Sequence, residues 1–117
     1  DRTEVLVTRR SKKLKSHPGE ICCPGGKRDP SDQSPADCAL RETWEEVGIS
    51  GVKVIGHLPP IKSRGGLAVF PVIGTIDLKP ELNLNPDEVE RAFWIPLEVF
   101  LQTERHAEFE WEWQGQI

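Results

Sequence analysis

Short apolar blocks alternate along this chain with clusters of Gly, Pro, Asp and Lys, and the period changes from block to block. Val5, Leu6 and Val7 form a strand-like run from Glu4 to Thr8 that needs a partner strand. None precedes it, because the sequence starts at Asp1. Arg9 to Gly19 is polar and basic, with no sustained apolar period, so it reads as a loop crossing the surface towards Gly25-Gly26. After Ser34 the pattern becomes helical. Ser34 can cap, Pro35 suits a first turn that needs no backbone donor, Asp37 completes a weak capping box, and Gly48 can take the left-handed conformation that ends a helix. At about 100° per residue, Ala36, Leu40, Thr43 and Val47 fall on one stripe, while Glu42, Glu45 and Glu46 share a separate arc.

Further on, Val52 to Leu58 alternates as a strand would and ends at Pro59-Pro60. Lys62-Ser63-Arg64-Gly65-Gly66 reads as a mobile turn, and Leu67 to Ile76 as a second strand that Pro71 marks as an edge or bulge. Leu78 to Asp87, with Pro80 and Pro86, reads as loop. Ala92 to Ile95 is short and apolar, and Pro96 begins a helix through Leu97-Glu98-Val99-Phe100-Leu101. Phe93 to Leu97 is assigned to the core. In the tail, Phe109, Trp111 and Trp113 alternate with Glu, the period of a half-buried strand, and core packing is favoured over stacking on a base.

Composition narrows the class. With 117 residues, 29% charged and 37% hydrophobic, the chain suits one globular domain over residues 1–117. It has no apolar run near the roughly 18 residues of a membrane span. Cys22, Cys23 and Cys38 lack metal-type spacing and imply free thiols in a reducing, intracellular setting. The net charge of −4 argues against a general nucleic-acid binder. That sum hides an asymmetry: from Arg9 to Arg28 there are seven Lys or Arg against one acidic residue, Glu20. His17, His57 and His106 are scattered and form no triad.

Candidate chemistry centres on Glu42, Glu45 and Glu46. Carboxylates spaced i, i+3 and i+4 repel one another by a few tenths of a kcal/mol per pair in water, so they destabilise the helix unless a cation sits among them. Oxygen-only ligands suit Mg²⁺ or Mn²⁺. A solvated helix face is the bland alternative. Against it stand the double glycine Gly25-Gly26, whose N–H groups can meet phosphate, and Arg41-Glu42-x-x-Glu45-Glu46-x-Gly48-Ile49 downstream. Together these resemble the Nudix box of the Nudix hydrolases.

That resemblance implies roles. Glu42, Glu45 and Glu46 match the metal-binding glutamates, Arg41 the arginine that orients a glutamate, and Gly26 the first glycine of the signature. Gly26 to Arg41 spans one residue more than the common signature. The position eight before Arg41, usually Glu, is Gln33, so Gln33, Asp29 and Asp32 all stand open for that role.

Upstream, Leu6-Val7-Thr8-x-Arg10-Ser11-x-x-x-Lys15-x-x-x-Gly19-x-x-x-Cys23-Pro24-Gly25-Gly26 is similar to the motif that coenzyme A pyrophosphatases carry before their Nudix box. Val7 stands for Leu, Lys15 for Arg, and Cys23 for an aromatic Phe. Coenzyme A has a 3′-phosphate besides its diphosphate, and cations beside the site would neutralise it. Arg10 leads as its ligand, followed by Lys15.

The resemblance implies an α+β fold, the Nudix α/β/α sandwich with a mixed β-sheet, with flanking elements expected beyond both ends of this excerpt. It implies metal-dependent hydrolysis of coenzyme A or its acyl derivatives to 3′,5′-ADP and 4′-phosphopantetheine or its acyl form. Glu42, Glu45 and Arg41 would be the catalytic groups, with Glu45 accepting the proton from water. Gly25, Gly26, Arg10 and Lys15 would bind substrate. Glu88 or Glu90 is weighed as a further acidic residue against a plain salt-bridge role. Relatives of this kind are often peroxisomal or mitochondrial, and the resemblance implies such a location here. Two other readings stand beside this one: a Nudix hydrolase of ADP-ribose or another nucleoside diphosphate, and a Nudix-fold binding module without turnover.

Overall fold

The computed structural model describes residues 3–62, 66, 68–77 and 79–101. The expected tail strand with Phe109, Trp111 and Trp113, and the turn residues 63–65, lie outside the described residues.

β1 (Glu4–Arg10) runs two residues beyond its apolar run because it is a central strand. It pairs antiparallel with β2 (Ile21–Cys22) on one edge and β7 (Val89–Pro96) on the other. Its partners therefore come from later in the chain. Consecutive residues Val7 and Thr8 are 2% and 1% exposed, so both faces of β1 are covered. The buried Thr8 hydroxyl is satisfied by donating to the Cys22 carbonyl at 3.2 Å.

α1 (Pro35–Val47) has the expected ends. Ser34 Oγ accepts the Asp37 N–H at 3.1 Å. The Asp37 carboxylate accepts from Gln33 N–H at 3.1 Å, one residue further back than a capping box would reach. Gly48 closes the helix at φ 74°, donating to the Trp44 carbonyl at 3.0 Å. On the apolar stripe Val47 is fully buried, while Ala36, Leu40 and Thr43 are half-buried. A valine buried to that degree contributes about 1.5–3 kcal/mol.

The segment before β7 docks on the C-terminus of α1. Backbone N–H groups of Asn83 and Asn85 reach the carbonyls of Val47 and Glu46 at 2.8 and 3.0 Å, supplying donors that a helix end lacks. The approach is close enough that a Cβ on Gly48 would sit 2.8 Å from Asn83 Cβ.

After α1 come β3 (Lys53–His57), β4 (Ile61–Lys62), β5 (Ala68–Val69) and β6 (Val72–Thr75). The single strand expected over Leu67 to Ile76 is broken at Phe70-Pro71. Pro71 has no N–H for a ladder, its carbonyl takes the Leu58 N–H at 3.1 Å, and the two halves pair with different partners, β4 with β5 and β3 with β6. Lys62, expected in a turn, is in β4. β3 also lacks its expected half-buried alternation. Its pairing with β6 skips Ile55, which is 58% exposed, and Val54 and Ile73 are exposed as well.

β7 is longer than the apolar run that suggested it, and its ladder with β1 skips Glu90. Phe93, Trp94 and Ile95 are half-buried and not fully core, since Lys79 lies over Trp94 and Arg91 over Phe93. Pro96 remains in the strand, and α2 (Leu97–Leu101) begins directly after it. The result is an α+β arrangement with α1 packed against β6 and β7. All pairings among the described residues are antiparallel.

Candidate active site

Cys38, Glu42 and Glu46 follow one another at i, i+4 and i+8, so they line the face of α1 turned towards the Gly25-Gly26 segment. Gly25 is buried, and its backbone N–H favours the charged form of the Glu46 carboxylate. A Cβ at Gly26 would overlap the Glu42 carboxylate, so a side chain there would displace that group. Cys38 Sγ faces the Gly26 and Lys27 carbonyls at 3.6 Å each. The double glycine thus lies against the acidic face of the helix, as its place in the motif requires.

A third carboxylate comes from outside the helix. Oxygen atoms of Glu42, Glu46 and Glu88 lie within 4.8 Å of one another. Glu46 is only 7% exposed, and burial, reinforced by its neighbours Glu42 and Glu88, pushes its carboxyl up to about 8. Burial also raises Glu42, which Arg41 opposes. Three hard oxygen donors held this close, the charge of Glu42 and Glu46 being penalised by burial, fit a small divalent cation.

Glu45 falls elsewhere. It is exposed, outside this trio, and its Oε1 pairs with Arg41 Nη1 at 3.1 Å. The helical arc that joined Glu42, Glu45 and Glu46 in sequence is divided, because Glu45 lies towards Arg41 and the other two point at the glycines.

Arg41 is fully engaged. Nε and Nη2 form a bidentate pair with Asp32 at 3.0 and 2.9 Å, Nη2 also reaches the Lys27 carbonyl at 3.1 Å, and Nη1 stands 3.5 Å from Glu42. Asp32 is 3% exposed, and the Arg41 guanidinium, aided by the Asp29 N–H, holds its carboxyl down at about 2. Of the three residues open for the glutamate's place, Asp32 is the one that meets Arg41. Gln33 is exposed and contributes its backbone N–H to Asp37.

The basic loop differs. Arg10 sits at the end of β1 with Nε and Nη2 directed at the carbonyls of Ser16 and His17, at 2.9–3.2 Å. It folds the loop over itself. Lys12 and Lys15 are exposed. His17, at φ 51°, pairs with Glu20 at 3.0 Å, and Ser11 N–H donates to the Glu88 carbonyl at 2.9 Å, tying the loop to the acidic cluster. Burial raises Cys22 to about 11 and Cys23 to about 12, so neither is a ready thiolate nucleophile.

Two residues the sequence left undecided are therefore resolved in space. Glu88, weighed together with Glu90, joins the cluster, while Glu90 is exposed on β7. Asp32 is selected by its partner Arg41. The sequence signals were the turn-forming Asn85-Pro86-Asp87 ahead of Glu88, and the Asp-rich insertion ahead of α1.

An α+β fold that presents helix-borne glutamates to a double-glycine segment defines a class, and comparison with known proteins agrees. The NUDIX domain model matches residues 1–114, and the chain belongs to the Nudix family. It is 39% identical over 113 residues to the peroxisomal coenzyme A diphosphatase ndx-8 of Caenorhabditis elegans, covering 93% of this chain and 48% of the relative. It is 46% identical over 99 residues to the peroxisomal coenzyme A diphosphatase NUDT7 of Mus musculus, covering 83% and 42%. Nudix hydrolase 15, mitochondrial, of Arabidopsis thaliana is 43% identical over 116 residues, covering 96% and 41%. The chain thus spans under half the length of these three relatives. Among solved structures, an Ap4A hydrolase of C. elegans superposes at TM-score 0.69 with 19% identity, covering 92% of this chain and 80% of the other. The MutT protein of Methanosarcina mazei superposes at 0.65 with 23% identity, covering 92% and 83%. These two likenesses show the fold. No helix among the described residues is long and apolar enough to cross a membrane.

Proposed function

We propose that this chain is the catalytic domain of an enzyme that hydrolyses the diphosphate linkage of coenzyme A or acyl-coenzyme A. The products would be 3′,5′-ADP and 4′-phosphopantetheine or its acyl form. The observation that carries the reading is the convergence of Glu42, Glu46 and Glu88 beside Gly25-Gly26. The choice of coenzyme A is supported by the two relatives whose names state that activity. A peroxisomal or mitochondrial location belongs to the same proposal, from the names of all three relatives.

In this reading Glu42, Glu46 and Glu88 hold Mg²⁺ or Mn²⁺. When bound, the cation neutralises the diphosphate and lowers the pKa of water. The residues do the rest. Gly25 N–H steadies the Glu46 carboxylate, and the missing side chain at Gly26 lets Glu42 and a phosphate approach the same backbone. Arg41, anchored by Asp32, holds Glu45 on the exposed side of α1, from which that carboxylate would accept the proton of the attacking water. Lys12 and Lys15 meet the 3′-phosphate from the loop that Arg10 shapes.

One observation favours a second reading. The contacts of Arg10 with Ser16 and His17 give it a task independent of any 3′-phosphate, as in a hydrolase of ADP-ribose or another nucleoside diphosphate. Incubation with coenzyme A, dephospho-coenzyme A and ADP-ribose, with and without Mg²⁺ or Mn²⁺, separates the two. Metal-dependent release of 3′,5′-ADP from coenzyme A is expected. A higher kcat/KM for ADP-ribose would replace the first reading with the second, and metal binding without turnover of any substrate would leave a binding module.

A further inference from the structure

Glu42 and Glu46 are aimed by a helix, whereas Glu88 comes from an irregular segment and must be aimed by something else. Its immediate neighbours supply the means. Asn85-Pro86-Asp87-Glu88 has Asn at the first and Pro at the second place of a turn, where each is favoured. Glu88 and Val89 N–H both donate to the Asn85 carbonyl, at 3.0 and 2.8 Å, and Asn85 Oδ1 accepts the Asp87 N–H at 3.1 Å. Asn85 also donates its own N–H to the carbonyl of Glu46 at 3.0 Å. One residue therefore joins the backbone of one cluster glutamate to the turn that bears another. From the opposite side, Ser11 N–H holds the Glu88 carbonyl at 2.9 Å, and the β1–β7 ladder skips Glu90 just beyond, the kind of irregularity that re-aims side chains.

We propose that Asn85 is a positioning residue for the divalent-cation site: its side-chain oxygen holds the Asn85–Glu88 turn in the register that brings the Glu88 carboxylate to Glu42 and Glu46. It sets cation affinity without touching the cation. This rests on the metal reading given above and adds to it a residue outside the acidic cluster.

The test is Mn²⁺ affinity by titration calorimetry, with the metal-free melting temperature measured alongside, for wild type, Asn85→Ala, Asn85→Asp, Glu88→Gln and the Asn85→Ala, Glu88→Gln double variant. Asn85→Ala should weaken Mn²⁺ binding about 10-fold, the lower end of what losing a ligand-orienting partner does. Asn85→Asp keeps an acceptor oxygen and should bind as wild type or tighter. In the Glu88→Gln background, Asn85→Ala should add nothing. If it weakened binding there by the same factor, Asn85 would be acting on the fold at large and the proposal would be overturned. Wild-type affinity in Asn85→Ala would overturn it too, with the cation site intact. A wild type that binds no Mn²⁺ would instead remove the metal reading itself, and this inference with it. Should Asn85→Ala not fold, Asn85→Ser, with its shorter acceptor, replaces it in both backgrounds under the same expectations.

Discussion

The two charged regions of this protein are built on opposite principles. In the acidic cluster, carboxylates from α1 and from the turn before β7 are driven together, and Glu46 is buried at 7% exposure. In the basic loop the lysines spread outward: Lys12, Lys13 and Lys15 are exposed, and Lys13 Nζ makes a 3.8 Å surface pair with Asp87. Like charges in water avoid one another at small cost, and a surface pair is worth about 0–1 kcal/mol. Convergence of buried carboxylates opposes folding and has to be enforced by backbone. The acidic cluster thus gives the proposed cation site its structural basis, whereas the basic loop acquires meaning only through its neighbour and its resemblance to a coenzyme A motif.

The strongest test of that difference removes a charge from each region in turn. Glu46→Gln keeps size and removes a cluster charge, and should lower turnover by at least about 10²-fold, the scale of a lost metal-electrostatic or general-base contribution. Metal-free stability near neutral pH should rise, because Gln at this buried position needs no proton taken up on folding. Near-normal turnover at saturating Mg²⁺ would show that the cluster is not the metal site.

A smaller effect is expected of Arg10→Ala. Its guanidinium makes charge-assisted bonds to two loop carbonyls, and such bonds contribute about 1.5–3 kcal/mol. Loosening the loop should reduce kcat/KM by about 10-fold or more on coenzyme A and dephospho-coenzyme A alike. A loss confined to coenzyme A would mean that Arg10 leaves its carbonyls for the 3′-phosphate. Lys15→Ala should show the converse selectivity at lower amplitude, about 2- to 5-fold on coenzyme A alone, as befits an exposed point charge.

The mildest perturbation is pH. Glu46 titrates near 8 in the folded, metal-free protein against an ordinary 4.5, so the folded state holds a proton that the unfolded chain has lost between those values. Stability from this group is full below about pH 4.5 and is lost as pH rises to about 8. The melting temperature without metal should therefore fall as pH rises from 5 to 8.5. Glu46→Gln should flatten that slope, and Mn²⁺ should offset it by binding the ionised carboxylates. A flat wild-type profile would place Glu46 in a more solvated setting than the structure shows.

Local chemistry was legible wherever one segment decides its own conformation. The span of α1, its Ser34 cap, Pro35 and the left-handed Gly48 all follow from steric and hydrogen-bonding preferences within a few residues, and they appear as the sequence implies. The motif from Arg41 to Ile49 likewise identified the family, because it compresses a helix face and its termination into one short run.

What the sequence could not decide was which charges meet. By helical period Glu45 belongs with Glu42 and Glu46, yet Asp32 draws Arg41 to one side, Arg41 takes Glu45 with it, and Glu88 enters from the far end of the chain. Pro71 announced an irregularity but not that its two sides would join different partner strands. Such choices depend on contacts between residues distant in sequence, which periodicity does not encode. They were made by the antiparallel seating of β7 on β1 and the docking of Asn83 and Asn85 on the end of α1, which together carry Glu88 to the helix.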